Sequence, residues 1–309
     1  MKTIKMAVVM LALVLMPACT KKVIGPTLHD NAIRVSADVI QHTKAGYESG
    51  VLLPEKFVMD IIQGDIERFN YPLVEMTRNA NSNEYAAAEG AELLWADDTY
   101  KAAIKAMTVP YGSSGVTASG VMTINVSLEQ NVAENVAASD LLGATTSNDG
   151  GITIESGKVK IEFQHLLSKL DVKYSFAEEY AMNDARINSI TLQNVCTRGG
   201  YSYAEMEYES TDLGYDDIVM YHNTSASTAE AIFYPYKPVK NPTLLINATI
   251  DGIKYNFTCP VVAKDADGFL GGRRYTMNIS IVGSSVDGTD ASIANGWDTN
   301  TKDESFITK

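Results

Sequence analysis

Residues 159–176 read VKIEFQHLLSKLDVKYSF. Two runs of strict alternation lie within this stretch, and they keep opposite parities. Val159, Ile161 and Phe163 are apolar at odd positions, interleaved with Lys158, Lys160 and Glu162. Leu170, Val172, Tyr174 and Phe176 are apolar at even positions, interleaved with Asp171, Lys173 and Ser175. Successive side chains leave a pleated strand on opposite sides, so each run predicts a strand with one dry and one wet face. The change of parity requires a break at 165–169 that switches the buried face. His165 falls on the apolar parity, which reads as a satisfied core or interdomain histidine rather than a catalyst or ligand.

The same period recurs on either side. Ile33, Val35, Ala37 and Val39 alternate with Arg34, Ser36 and Asp38, and Met122, Ile124, Val126 and Leu128 with Thr123, Asn125 and Ser127. Ile253, Tyr255, Phe257 and Cys259 repeat the pattern, as do Tyr275, Met277, Ile279 and Ile281. Turn clusters separate the runs, and Asp251-Gly252 between 243–250 and 253–259 predicts a tight hairpin, since such a pair accepts positive φ. Many short strands with polar turns imply an all-β chain of antiparallel sheets. Glu84 to Met107 is ambiguous. Its alanines favour helix, whereas Tyr100, Ala102, Ile104 and Ala106 also alternate as a strand would. The polar stretch Ala137–Gly157 divides the chain after its leader into 19–157 and 158–309, each of ordinary domain size.

The chain has 309 residues, 45 % of them hydrophobic, and a formal charge of −13. That fits a globular chain with a core and argues against nucleic acid as a partner, because phosphate binding needs a basic face. His29, His42, His165 and His222 are scattered, and three cysteines cannot form a four-thiolate zinc site. No phosphate-binding glycine loop, nucleophile elbow or zinc-protease helix motif is present. Lys264–Gly268 has part of a calcium loop but lacks its distal glutamate. Glu205, Glu207 and Glu209 read as a solvated strand face, not as paired catalytic carboxylates. No catalytic residue, metal site or cofactor is therefore expected. Cys196 and Cys259 could pair in an oxidising compartment or remain two thiols.

The amino terminus carries an address. Lys2 and Lys5 precede the apolar run Met6–Ala18, shorter than the roughly 20 residues that span a bilayer. Residues 1–18 read as a secretory signal. Leu15-Met16-Pro17-Ala18-Cys19 resembles a bacterial lipobox, which implies cleavage before Cys19 and acylation of that residue.

Several motifs in order resemble the fimbrillin family, the type V pilus subunits of Gram-negative gut and oral anaerobes. The central one is Phe163-Gln-His165-Leu-Leu-Ser168-Lys169 followed by renewed alternation. Leu94-Trp95 before Tyr100, Pro110-Tyr111, Phe233-Tyr234-Pro235, Gly271-Gly272-Arg273-Arg274-Tyr275 and Ile293–Trp297 accompany it. The resemblance covers nearly the whole chain after the leader. It implies two transthyretin-like antiparallel β-sandwich domains and export as an outer-membrane lipoprotein that ends in a cell-surface fimbria. It also implies that a trypsin-like surface protease removes a first strand, and that a donor strand from the next subunit, in a homo- or heteropolymer, fills the vacated groove. Here the displaced strand would be Ala32–Thr43, with Ile33, Val35, Ala37 and Val39 inward. Lys44-Ala45 stands where the family places an arginine followed by alanine, so an arginine-specific protease would find no substrate there. Either a less selective trypsin-like enzyme cuts after Lys44, or the strand stays and the protein is an uncut anchor or cap. The subunit's place as stalk, tip or anchor stays open. The polar tail after Gly283 offers Ile293, Trp297, Phe306 and Ile307 as donor residues.

Adhesion to a host or bacterial surface ligand is the role this implies. The alternative is a surface carbohydrate-binding lipoprotein module, since a sandwich scaffold hosts many functions. Exposed rings would mark such a module, and among the 16 tyrosines Tyr201, Tyr203 and Tyr208 form the densest group.

Overall fold

A computed structural model describes residues 31–39, 53–65, 67–88, 91–96, 101–146, 159–178, 184–264, 266–282, 285–287, 291–294 and 304–305. The chain runs through β1 (Val35–Val39), β2 (Lys56–Ile62), β3 (Tyr71–Arg78), β4 (Glu84–Ala87) and β5 (Ala103–Met107). It then passes through β6 (Val121–Asn125) and a short helix α1 (Ala133–Ser139), and returns in β7 (Leu142–Thr145) and β8 (Val159–His165). After these come β9 (Ser168–Phe176), β10 (Ala185–Ser202), β11 (Glu207–Val219), β12 (Tyr221–Asn223) and β13 (Thr228–Phe233). The remainder is β14 (Thr243–Ile250), β15 (Ile253–Pro260), β16 (Arg274–Val282), β17 (Ser285–Asp287), β18 (Ala291–Ala294) and β19 (Glu304–Ser305). The fold is all-β.

Two cores form. The first lies inside a closed barrel in the order β1-β4-β3-β2-β5-β7-β8 and contains Phe57, Met59, Trp95, Ile104, Ile161 and Phe163. The second lies between two sheets. One is β11-β10-β14-β15 with β6 also on β10; the other is β12-β13-β9-β16-β18-β19 with β17 also on β16. Their inner faces share Leu170, Val172, Ile190, Leu192, Tyr201, Phe233, Ile246 and Ile279, as packed sheets do. Strand membership crosses the chain order: β6 and Val136 of α1 belong to the second core, whereas β7 and β8 complete the barrel. The division expected at 157/158 lies outside the described residues.

The parity change at 165–169 marks a passage between the two cores. β8 ends at His165 in the barrel, Leu167 is buried in the second core, and β9 starts at Ser168 in a different sheet. One strand thus needs no bulge to switch faces. His165 is buried, and its Nδ1 lies 2.8 Å from Asp140 Oδ2, just after α1. The Asp251-Gly252 hairpin forms as the dipeptide predicts, with φ of 51° and 78° and Ile250 opposite Ile253. The ambiguous alanine-rich stretch contributes β4 and β5; Ala106 of β5 and Ala102 just before it are buried. Cys196 and Cys259 are both buried free thiols. Burial pushes the Cys196 thiol up to about 11.

Candidate functional site

The barrel is closed by its first strand. β1 pairs in parallel with β8 over five residues, from Val35 opposite Val159 to Val39 opposite Phe163. On its other side it pairs antiparallel with β4, Val35 opposite Tyr85 and Ser36 opposite Glu84. Without β1, β4 and β8 would each present a free edge of unpaired backbone groups.

Alternation decides which side chains fill the barrel. Ile33, Val35, Ala37 and Val39 are 9, 3, 1 and 5 % exposed, while Arg34 and Asp38 face solvent and Ser36 is half-buried. All four inward residues join the first core. Backbone bonds fasten both sides. Ile33 N donates to Leu93 O (2.8 Å), Trp95 N to Asn31 O (2.9 Å), Ala37 N to Asn83 O (2.9 Å), and Val159 N to Arg34 O (2.7 Å).

The floor beneath β1 is aromatic and dry. Phe57 of β2 packs against Tyr85 of β4 (centroids 4.8 Å apart) and Phe163 of β8 (5.1 Å). Tyr85 turns its hydroxyl out of the core and donates to Pro54 O at 2.7 Å. Burial pushes that hydroxyl up to about 12, so the floor stays uncharged over the ordinary pH range. Beside Ile33 and Val35 a cavity of about 480 Å³ opens, lined also by Met76, Ala87 and Leu93.

The residues expected at the site are only partly brought together. Ile33, Val35, Ala37 and Val39 converge as one face. Ile293 lies in β18, paired opposite Tyr275 of β16 and Glu304 of β19, and so belongs to the second body. Cys19, Lys44, Ala45, Trp297, Phe306 and Ile307 lie outside the described residues, as does the leader 1–18. Of the three clustered tyrosines, Tyr201 and Tyr203 are fully buried, with Tyr203 donating to Lys105 O at 3.1 Å, and Tyr208 alone is partly exposed; one ring makes no platform. The three glutamates do not share one solvated strand face: Glu205 is exposed in the turn before β11, Glu207 is exposed on β11, and Glu209 is half-buried. Sequence reasoning missed the floor residues Phe57 and Tyr85. The signal for Phe57 was there, since Phe57, Met59 and Ile61 alternate with Val58 and Asp60.

Among the described residues, no cluster of three His, Cys, Asp or Glu could hold a metal ion, and no helix is long and apolar enough to cross a membrane. The fold is similar to that of a candidate cell adhesion protein from Bacteroides uniformis. That protein is 19 % identical with a TM-score of 0.60, and the match covers 86 % of this chain and 98 % of that one. A second candidate cell adhesion protein, from Bacteroides ovatus, is 13 % identical with a TM-score of 0.59, covering 90 % and 98 %. At these identities the likeness speaks to the fold. A search of curated proteins found no match. The family model described as Fimbrillin-like matches residues 63–297. With most of its length matched by that model, the chain belongs to the fimbrillin-like family.

Proposed function

We propose that the protein is a structural, non-enzymatic subunit of a type V pilus, joined to its neighbours by replacement of β1. The observation that supports this best is that one short strand closes the barrel through alternate buried side chains. Cleavage after Lys44 would leave β1 held only by noncovalent contacts. Its departure would bare two sheet edges and an aromatic floor, which an extended segment of another subunit can cover. The tail after Gly283 is the donor segment in this reading, with Ile293, Trp297, Phe306 and Ile307 as its apolar residues. A trypsin-like protease suits Lys44 in place of arginine. Residues 1–18 direct export, acylated Cys19 holds the precursor at the outer membrane, and the mature subunit reaches the cell surface. In this reading the barrel and the pair of packed sheets are the two domains, and the adhesion names carried by the similar structures favour a role in attachment.

The test is Lys44→Gln. Wild-type protein treated with a trypsin-like protease should form filaments visible by electron microscopy, whereas Lys44→Gln should stay monomeric with β1 attached. Filaments formed equally well by Lys44→Gln with its first strand intact would refute the reading.

A further inference from the structure

The groove under β1 differs along its length. At one end the pairing on the β4 side is interrupted. Ala32 lies opposite Leu94, yet Val35 lies opposite Tyr85. Three steps along the first strand therefore correspond to nine along its partner, and the excess chain leaves the ladder. The 480 Å³ cavity beside Ile33 and Val35 opens at this interruption. The middle of the groove is the opposite. Val35 lies opposite Tyr85 on the β4 side, while on the β8 side Ala37 lies opposite Ile161 and Val39 opposite Phe163, so Ala37 holds the position between the two that face rings. Phe57 packs against both of these rings. Ala37 belongs to the same core as Phe57 and is 1 % exposed.

We propose that the Ala37 position is a size filter for the strand that occupies the groove. This rests on the strand-replacement reading. The occupant is an extended segment of a second pilus subunit, apolar at alternate positions, with alanine, glycine or another residue of that size at the third inward position. Close-packed cores lose stability when extra methylenes are forced in. Tyr85 borders the cavity, but Phe57 and Phe163 are fully buried and packed edge to face at 5.1 Å, so the groove is closed on that side. The first two inward positions border the cavity and tolerate larger groups. The filter also fixes register. A slip of one residue turns every apolar side chain outward. A slip of two keeps the parity but drives Val35 or Val39 into the Ala37 slot, which the floor excludes. Burial alone would not distinguish these registers; the small slot does.

The experiment uses the full chain with a site for a sequence-specific protease placed after Lys44 and cut once. Exchange of the seated strand for fluorescent peptides of residues 31–43 is followed by anisotropy. The Ala37→Gly peptide should bind within about tenfold of the unaltered peptide, and Ala37→Leu should lose about 100-fold. Val35→Ile, facing the cavity, should change affinity less than about threefold. Phe57→Leu in the receiving chain, or Phe57→Met where that variant does not fold, should recover at least about tenfold for the Ala37→Leu peptide. Equal binding of the Ala37→Leu and unaltered peptides overturns the filter and leaves strand replacement standing. Failure of every peptide to exchange overturns strand replacement instead. The uncut chain then tests the slot directly. Ala37→Leu should lower the denaturation midpoint and added Phe57→Leu should partly restore it; unchanged midpoints overturn the filter.

Discussion

Val35→Ala measures how firmly the first strand holds the barrel shut. Val35 is 3 % exposed and sits between Tyr85 and Val159 in adjacent strands. The substitution removes two buried methyl groups, about 0.8 kcal/mol each by transfer, and leaves a cavity that adds to the loss. A cost of about 1.5–3 kcal/mol follows. Ser36→Ala is the control, because that side chain is half-buried on the outward face and should cost less than about 0.5 kcal/mol. Guanidinium unfolding reports the difference through Trp95, which is buried in the same core, in a Trp297→Phe background. The midpoint should fall with no change in slope. In protein cut after Lys44, the same loss should speed release of the strand roughly 10- to 100-fold. If Val35→Ala and Ser36→Ala cost the same, the strand is not held by its inward face, and the reasoning fails.

The magnitude matters for the whole strand. Ile33, Val35 and Val39 together contribute at most about 5–9 kcal/mol, taking 1.5–3 for each buried side chain against an extended reference chain. A whole domain is stable by only about 5–15 kcal/mol. A barrel that loses this strand is therefore left near the limit of stability unless another strand arrives.

Two further outcomes test the second body. A Cβ at Gly199 would lie 2.3 Å from the Tyr234 ring, and that ring is pinned by hydrogen bonds from its hydroxyl to Gly200 O and Glu209 O. Gly199→Ala should thus lower stability by about 2–3 kcal/mol in chemical denaturation. His222 is held below its usual pKa by burial, with Nε2 2.5 Å from the Tyr174 hydroxyl. Its folded pKa lies under the unfolded value near 6.5, so its contribution is present above that pH and is lost as pH falls through the folded pKa. Unfolding midpoints measured from pH 7.5 to 5 should therefore decline more steeply for wild type than for His222→Gln.

The sequence makes some of this legible, for a physical reason that also sets its limit. Period-two alternation reports which face of a strand is dry, and every alternating run quoted from 33–39 to 275–281 contributes a strand. It does not report the neighbour. Nothing in Ile33–Val39 shows that β1 runs parallel to β8, because parallel partners need no turn between them. The parity change at 165–169 was visible as a break, yet only the structure shows that the two runs serve different cores. The alanines at 102 and 106 point to helix by propensity, and burial in the barrel overrode that preference. Tyr201 and Tyr203 cluster in sequence as a binding surface might, but their parity on β10 and just beyond turns them into the second core.

The position of the tail constrains how exchange could be driven. β18 and β19 extend the sheet beyond β16, with Tyr275 opposite Ile293. A tail that donates to a neighbour must give up these backbone bonds and make a similar set in the groove. Backbone bonds exchanged one for one change free energy little. The driving force must then come from the apolar floor bared when β1 leaves. While β1 is seated, that floor is already covered and donation gains nothing. In the strand-replacement reading, cleavage would then precede donation on energetic grounds, without a separate gate. Removing residues 284–309 should accordingly leave the first barrel as stable as before, since none of the barrel strands among the described residues lies in the tail. The same truncation should stop filament growth after protease treatment, as judged by light scattering. Truncated chains that still polymerise after cleavage would show that another segment is the donor.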